Sequence, residues 1–450
     1  MSPFGFTPDN SDEENPKPDD FAAMMRQMQE QIQKQFQQLG INPAGFINPF
    51  ANFAPGGKGQ QEALPIATVR DTAKKFVQAQ GSQPLGIKDV TVVNNALEIA
   101  ELWLNEATVF PATAIGAAHT SLSRLDWVDE TLPGWQATME PLATGLASAI
   151  SGLLDQAVAG QGENLGVEGG ADALAGSMGA IAGLLRSFIG SMIATQLGQA
   201  IGAISSNATG AHDVALPLLD PARPILIPEN IEKWSADLEI PKTEVYLFHA
   251  LREAVIARLF AHNPWIVSYM RSAIVDYGRG IRIDMEAIQR QAEEAMQNFD
   301  PSQINPESGE NSFNIALNNG IFTPEETPEQ RAALSKLETA LALVDGWADE
   351  VTTLAAGDRL PTISQLREMY RRQRATNAPA QQLFKSLLGL EVSPKLTREA
   401  SAFWQKVRES KDVASRDALW SGILPSADEL LDPVAFLSST QVPDDLSGLL

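Results

Sequence analysis

The sequence contains no cysteine and only four histidines among 450 residues. Without thiols the chain can form neither disulfides nor cysteine-ligated zinc or iron–sulfur sites. Any metal site would therefore draw on carboxylates and on His119, His212, His249 and His262. Signals for β-strands are nearly absent as well, whereas apolar residues recur widely at steps of three and four. This pattern predicts a mainly α-helical protein with few or no strands.

Positive charge is also scarce. Lys and Arg number 33 against 56 Asp and Glu, which gives a net charge of -23. Such a surface repels phosphate backbones and anionic lipids, so we expect neither a nucleic-acid partner nor a membrane partner. The first residues, MSPFGFTPDNSDEENPKPDD, have no basic stretch followed by an apolar run, as a signal peptide would have. We therefore expect a cytoplasmic protein.

The two ends of the chain differ in composition from its body. Residues 1–61 predict a disordered acidic arm that carries an amphipathic helix over 20–39 and then a Pro/Gly/Asn-rich linker. That helix would either pack on its own domain, form only transiently, or dock a partner or a second copy of the chain. Residues 436–450 predict an acidic tail. The apolar face of the helix consists of Phe21, Met25, Met28, Ile32, Phe36 and Leu39.

The body, residues 62–435, predicts one helical domain. Within it, Gly190, Ala194, Gly198 and Gly202 stand four residues apart and form a stripe that would let another helix approach closely. The surrounding uncharged run is just long enough to raise the question of a membrane span. Its glutamines and serines instead favour a buried central helix.

Two further stretches have simple local interpretations. Residues 210–230 contain four prolines and predict an irregular connection, in which the short apolar piece Ile225–Ile227 could be a strand. The basic run Arg371-Arg372-Gln373-Arg374 predicts a solvated face near the C-terminal end of a helix, where positive charge is favoured.

The most informative stretch runs from Glu244 to Ile266. By itself it predicts an ordinary core helix, since Leu247, Leu251, Val255 and Leu259 recur every fourth residue.

The segment HALREAVIARLFAHNPWI, however, resembles the active-site helix of a bacterial family of zincin-like metallopeptidases, often described only as hydrolases, in which the stretch looks like ALHEAAHARLFAHVPWL. The resemblance continues in FIGSMIATQLGQAIG, in ILIPENI and in the TPEQ…LVDGW helix, and it covers roughly residues 62–435. It places the family's His-Glu-x-x-His motif on Arg252-Glu253-Ala254-Val255-Ile256. It also implies that Asp345 stands at the position of the third zinc ligand.

This chain departs from the family at the motif itself. In active members two histidines four residues apart would hold zinc, and the glutamate would deprotonate the zinc-bound water. Arg252 and Ile256 have no lone pair to donate to a metal, and Asp345 alone cannot hold zinc. Glu253 would then be a vestigial general base, and we expect no metal cofactor here, although active members use zinc. The resemblance thus implies a catalytically inactive pseudo-peptidase that binds a peptide or protein in the former cleft.

If Arg252 occupies the space of the first ligand, its guanidinium would supply the positive charge of the missing ion. We therefore expect it to pair with Asp345, with Glu253, or with both, and to lie within salt-bridge reach of Asp345.

Two other functions remain open from the sequence. An active zinc peptidase could use non-standard ligands, such as His249 and Glu253 with Asp345 or His262. His262 lies thirteen residues after His249, or about 20 Å along a helix, so it cannot join the same tight site. Alternatively the chain is a scaffold or an oligomer that docks through residues 20–39.

Overall fold

The computed structural model describes residues 63–113, 120–162, 190–280, 327–377, 396–422 and 424–439. Contacts divide the chain into one unit of Met1–Gln60 with Glu294–Ala316 and a second of Gln61–Glu293 with Leu317–Leu450. The first unit, which includes the expected helix 20–39, lies outside the described residues. Residues 440–450 of the expected tail lie outside them as well.

The described part of the second unit is built mainly from α-helices, which confirms the expected fold class. The helices are α1 (Ile66–Gln80), α2 (Ile87–Ala107), α3 (Arg124–Gly162), α4 (190–205), α5 (Pro228–Trp234), α6 (Lys242–His262), α7 (Pro264–Arg279), α8 (Pro328–Ala356), α9 (Ile363–Asn377), α10 (Thr397–Ser410), α11 (Val413–Ala418) and α12 (Pro433–Ser439).

The apolar piece Ile225–Ile227 does not form a strand. Leu226 makes only isolated bridges, a parallel one with Ser121 and an antiparallel one with Gly210. Pro224 and Pro228 stand on either side of it and have no N–H to donate, so pairing cannot extend.

Helix α6 lies at the centre of the core. Every residue from Phe248 to Phe260 is buried, so the helix is surrounded by protein rather than amphipathic. It packs against α2, α5, α8 and α9. Three of its buried residues, Arg252, Glu253 and Arg258, are charged, and each must therefore find a partner inside the protein.

Helix α8 is the second central element. It begins at Pro328, and Thr327 and Gln330 cap each other's backbone N–H groups. The helix then contacts α2, α6, α7 and α10. Its middle turns are buried on all sides, and this places Asp345 inside the protein.

Helix α3 is longer than the sequence suggested. The pattern around Trp127 and Trp135 predicts two helices, yet Arg124–Gly162 is one helix of 39 residues with Pro133 and Pro141 inside it. Both tryptophans are fully buried, so tertiary packing holds this segment helical across residues that weaken an isolated helix.

The small-residue stripe lies on α4 and has the predicted role. A Cβ on Gly198 would lie 2.7 Å from the carbonyl oxygen of Val69, and one on Gly202 would lie 2.9 Å from that of Ala73. Helix α1 therefore approaches α4 at backbone distance, as expected of a buried helix. Among the described residues, no helix is long and apolar enough to cross a membrane.

We predict that Gly198→Ala destabilises the protein although alanine favours helix. The added methyl group would collide with backbone and with Thr72 Cβ, also at 2.7 Å, at a cost of about 1–3 kcal/mol. Chemical denaturation would measure this loss. Gly278→Ala in α7 is the matched control, because its nearest contact is the flexible end of Leu142 at 3.3 Å. Equal unfolding midpoints for the two variants would contradict the close approach.

Candidate functional site

Arg252 is buried in α6, with 4% of its surface exposed. Its Nη2 donates a hydrogen bond to the Asp345 carboxylate, which confirms that the two residues lie within salt-bridge reach. Its Nη1 lies 3.8 Å from Asp349 Oδ1, and the guanidinium carbon lies 4.1 Å from the centre of the Tyr370 ring. Two carboxylates and an aromatic face thus enclose the positive charge.

Asp349 is a member of this site that the sequence analysis did not identify. It follows Asp345 by one helical turn, so both side chains leave the same face of α8. Its carboxylate accepts hydrogen bonds from Arg367 at 3.0 and 2.6 Å, from Arg371 at 2.6 Å and from Ser401 at 2.8 Å. Burial alone would raise the pKa of Asp349, but the surrounding arginines hold this pKa well below its usual value. The four-residue spacing was the available signal in the sequence.

The expectation of a solvated basic face on α9 is wrong for two of its arginines. Arg371 pairs with Asp349, and Arg374 donates to the Asp213 carbonyl and lies 3.7 Å from the Asp213 carboxylate and 3.9 Å from that of Asp345. Only Arg372 is mainly exposed, with 76% of its side chain in solvent. The acidic groups that draw the other two inward come from distant parts of the chain.

Asp213 and His249 extend the site. The Tyr370 hydroxyl donates to Asp213 at 2.6 Å, and the Thr209 backbone N–H donates to the same carboxylate at 2.9 Å. The His249 ring packs edge-on against Trp234 and Tyr370, and its Nε2 is buried without a hydrogen-bond partner. Burial lowers the pKa of His249 to about 4, an effect that Arg252 reinforces and Asp213 opposes.

Glu253 contacts a different part of the structure from Arg252. Its carboxylate accepts hydrogen bonds from the backbone N–H groups of Ala211 at 3.0 Å, His212 at 3.1 Å and Ile225 at 3.1 Å. It also lies 2.8 Å from the Nδ1 atom of His212. These contacts attach the irregular connection to α6. The side chain that the motif assigns to proton transfer therefore has a structural role in this chain.

The side chains at the three motif-derived positions do not fit a zinc ion. Arg252 is a cation without a lone pair, Ile256 is a buried hydrocarbon, and Asp345 provides a single carboxylate that is already paired. His262 is exposed and lies 3.0 Å from the Pro111 carbonyl, away from the contacts of His249. Across the described ranges, no three His, Asp or Glu side chains are grouped so that they could hold a metal.

Comparison with known proteins agrees with this helical core. Residues 66–437 match the family model for zincin-like metallopeptidases. A crystal structure from Chloroflexus aurantiacus, described as a candidate hydrolase with a novel fold, superposes with a TM-score of 0.55 at 16% identity, covering 84% of this chain and 98% of that one. At this identity the likeness concerns the fold alone. No curated protein matches.

The fold of this chain is therefore similar to that of this crystal structure. Because the family match spans most of the sequence, the chain belongs to the zincin-like metallopeptidase family.

We predict that Glu253→Gln destabilises the fold by about 2–3 kcal/mol, because an amide replaces a buried anion that accepts several N–H groups. Urea denaturation near neutral pH would measure the change. Glu239→Gln at an exposed position is the control and should stay within about 0.5 kcal/mol of the wild type. Equal stability of both variants would contradict the structural role of Glu253.

We further predict that His249 makes the protein sensitive to mild acid. The unfolded chain protonates this ring near pH 6.5, whereas the folded protein resists protonation down to about pH 4. Stability is therefore fully present above pH 6.5 and falls by about 3 kcal/mol as the pH approaches 4. Urea unfolding across this range should show a shallower pH dependence in His249→Phe. In the control His262→Phe, the wild-type dependence should remain, and a wild-type slope in His249→Phe would refute the prediction.

Proposed function

We propose that this protein is a metallopeptidase-family member without a catalytic metal, which binds a peptide or protein in the former active-site cleft. The observation that carries the proposal is the position of Arg252. The family resemblance places this residue at the first zinc ligand, and its guanidinium contacts the carboxylate at the position of the third.

The charge balance supports a guanidinium in place of a metal ion. A buried carboxylate such as Asp345 or Asp349 is costly unless a positive charge lies beside it. In an active zincin the metal supplies that charge. Here Arg252 supplies it, and because guanidinium stays protonated at all ordinary pH values, the substitution needs no cofactor.

The surroundings of Glu253 support loss of hydrolysis. General-base catalysis in this family type requires a water acidified by zinc beside the glutamate. Glu253 instead accepts from backbone N–H groups and contacts His212, so its oxygens are already occupied. With neither an activated water nor a free base, we infer that binding remains as the function of the cleft.

Zinc content tests the absence of a catalytic metal. We expect untagged protein to contain far less than one zinc per chain by elemental analysis. The double variant Arg252→His/Ile256→His restores the motif and should bind zinc about a hundredfold more tightly in equilibrium dialysis, because it adds two imidazole ligands. Arg252→Ala/Ile256→Ala is the matched control, which empties the same positions without adding donors.

One result would favour an active zinc enzyme instead. Wild-type protein could hold one zinc per chain and lose it in Asp345→Asn or Glu253→Gln. Non-standard ligands would then build the site, and the proposal of an inactive peptidase would be wrong.

A further inference from the structure

Helix α9 presents three arginines on one side, at steps of four and three residues. We refer to Arg367, Arg371 and Arg374 as the arginine rim. Their side chains are 22%, 27% and 16% exposed, so each is mostly covered by protein but still reaches solvent. Together with Arg252 they face three carboxylates among the described residues, those of Asp213, Asp345 and Asp349. One positive charge is thus in excess, on a protein whose net charge is -23.

The carboxylates of the site cannot use all the donors that surround them. Asp349 Oδ2 alone accepts from Arg367, Arg371 and Ser401, while Oδ1 accepts from Arg367. A carboxylate has about four lone-pair positions, so Asp349 is saturated. Further N–H groups on the rim are therefore available to an acceptor other than Asp349.

Arg371 shows this surplus of donors most clearly. Of its five N–H groups, one bonds Asp349 Oδ2, and its Nε atom is buried without a hydrogen-bond partner. A buried donor on a charged group is costly when it has no hydrogen-bond partner. Within the described residues, Arg374 donates one hydrogen bond, to the Asp213 carbonyl.

We propose that the arginine rim binds a carboxylate of a peptide ligand. Guanidinium groups hold carboxylates through paired N–H contacts, and one added carboxylate would neutralise the excess charge of the cluster. Arg374 of the rim lies 3.9 Å from Asp345, and Arg371 shares Asp349 with Arg252, so a peptide anchored here would lie beside the Arg252–Asp345 pair. This inference rests on the proposed peptide-binding function and specifies the chemical group that is recognised. The source of the carboxylate is the C-terminus of the peptide or an acidic side chain.

Three rhodamine-labelled decapeptide libraries separate these sources. The peptides contain only uncharged side chains, except for one internal Glu in the third library. The first library has a free C-terminal carboxylate, whereas the second and third have an amidated C-terminus. Fluorescence anisotropy with full-length wild-type protein should show the first or third library binding at least about tenfold more tightly than the second. Preference for the first identifies the C-terminus, and preference for the third identifies an acidic side chain.

Variants of α9 assign the effect to the rim. Arg371→Met should abolish the preference for the carboxylate, whereas Arg371→Lys should retain part of it. The matched control Arg372→Met changes the neighbouring arginine, whose side chain is exposed and pairs with Glu368, and should leave the preference intact. Circular dichroism would verify that each variant is folded.

The outcomes distinguish carboxylate recognition by the rim from peptide binding in general. Equal binding of all three libraries to the wild type would overturn carboxylate recognition while leaving peptide binding in place. No binding of any library would overturn both. An undiminished preference in folded Arg371→Met would place the carboxylate site away from the rim and refute the inference. If Arg371→Met does not fold, an undiminished preference in Arg371→Lys would refute it.

Discussion

Arg252 lies inside the protein with its guanidinium between two carboxylates of α8, and a charge in such a place is stable only with partners. The arrangement joins three helices. Helix α6 contributes Arg252, α8 contributes the two aspartates, and α9 contributes Tyr370, whose ring face contacts the guanidinium. Removing Asp345 would take away the direct hydrogen-bonded partner of the buried guanidinium. The chemistry of the site and the packing of the core are therefore the same set of contacts.

The other two buried charged residues on α6, Glu253 and Arg258, also have partners inside the protein. Glu253 binds backbone N–H groups of the irregular connection, and fully buried Arg258 pairs with Glu101 of α2 at 2.8 Å. A helix that is buried on every side cannot direct its polar residues to water, so each charge instead specifies a neighbour. Glu253 therefore has a structural reason to be present at its position in α6.

Much of the fold could be predicted because helices have local signals. The cap at Thr327 and the glycine stripe on α4 are short-range patterns, and the structure contains both. The family resemblance added the Arg252–Asp345 pairing, although the two residues are 93 positions apart. Local patterns failed where tertiary packing decided the outcome. Helix α3 continues through Pro133 and Pro141, and the Ile225–Ile227 piece makes only isolated bridges.

The sequence by itself determined the helical class, the scarcity of metal-binding side chains and the presence at position 252 of a guanidinium, which has no lone pair for a metal. Those properties follow from composition and from the chemistry of single residues. Only the tertiary structure decided that Asp349 shares the site, that Glu253 binds backbone N–H groups and that Arg371 and Arg374 point inward. The reason is that the partners of a buried charge come from elements far apart in the chain, and their meeting depends on how the helices pack.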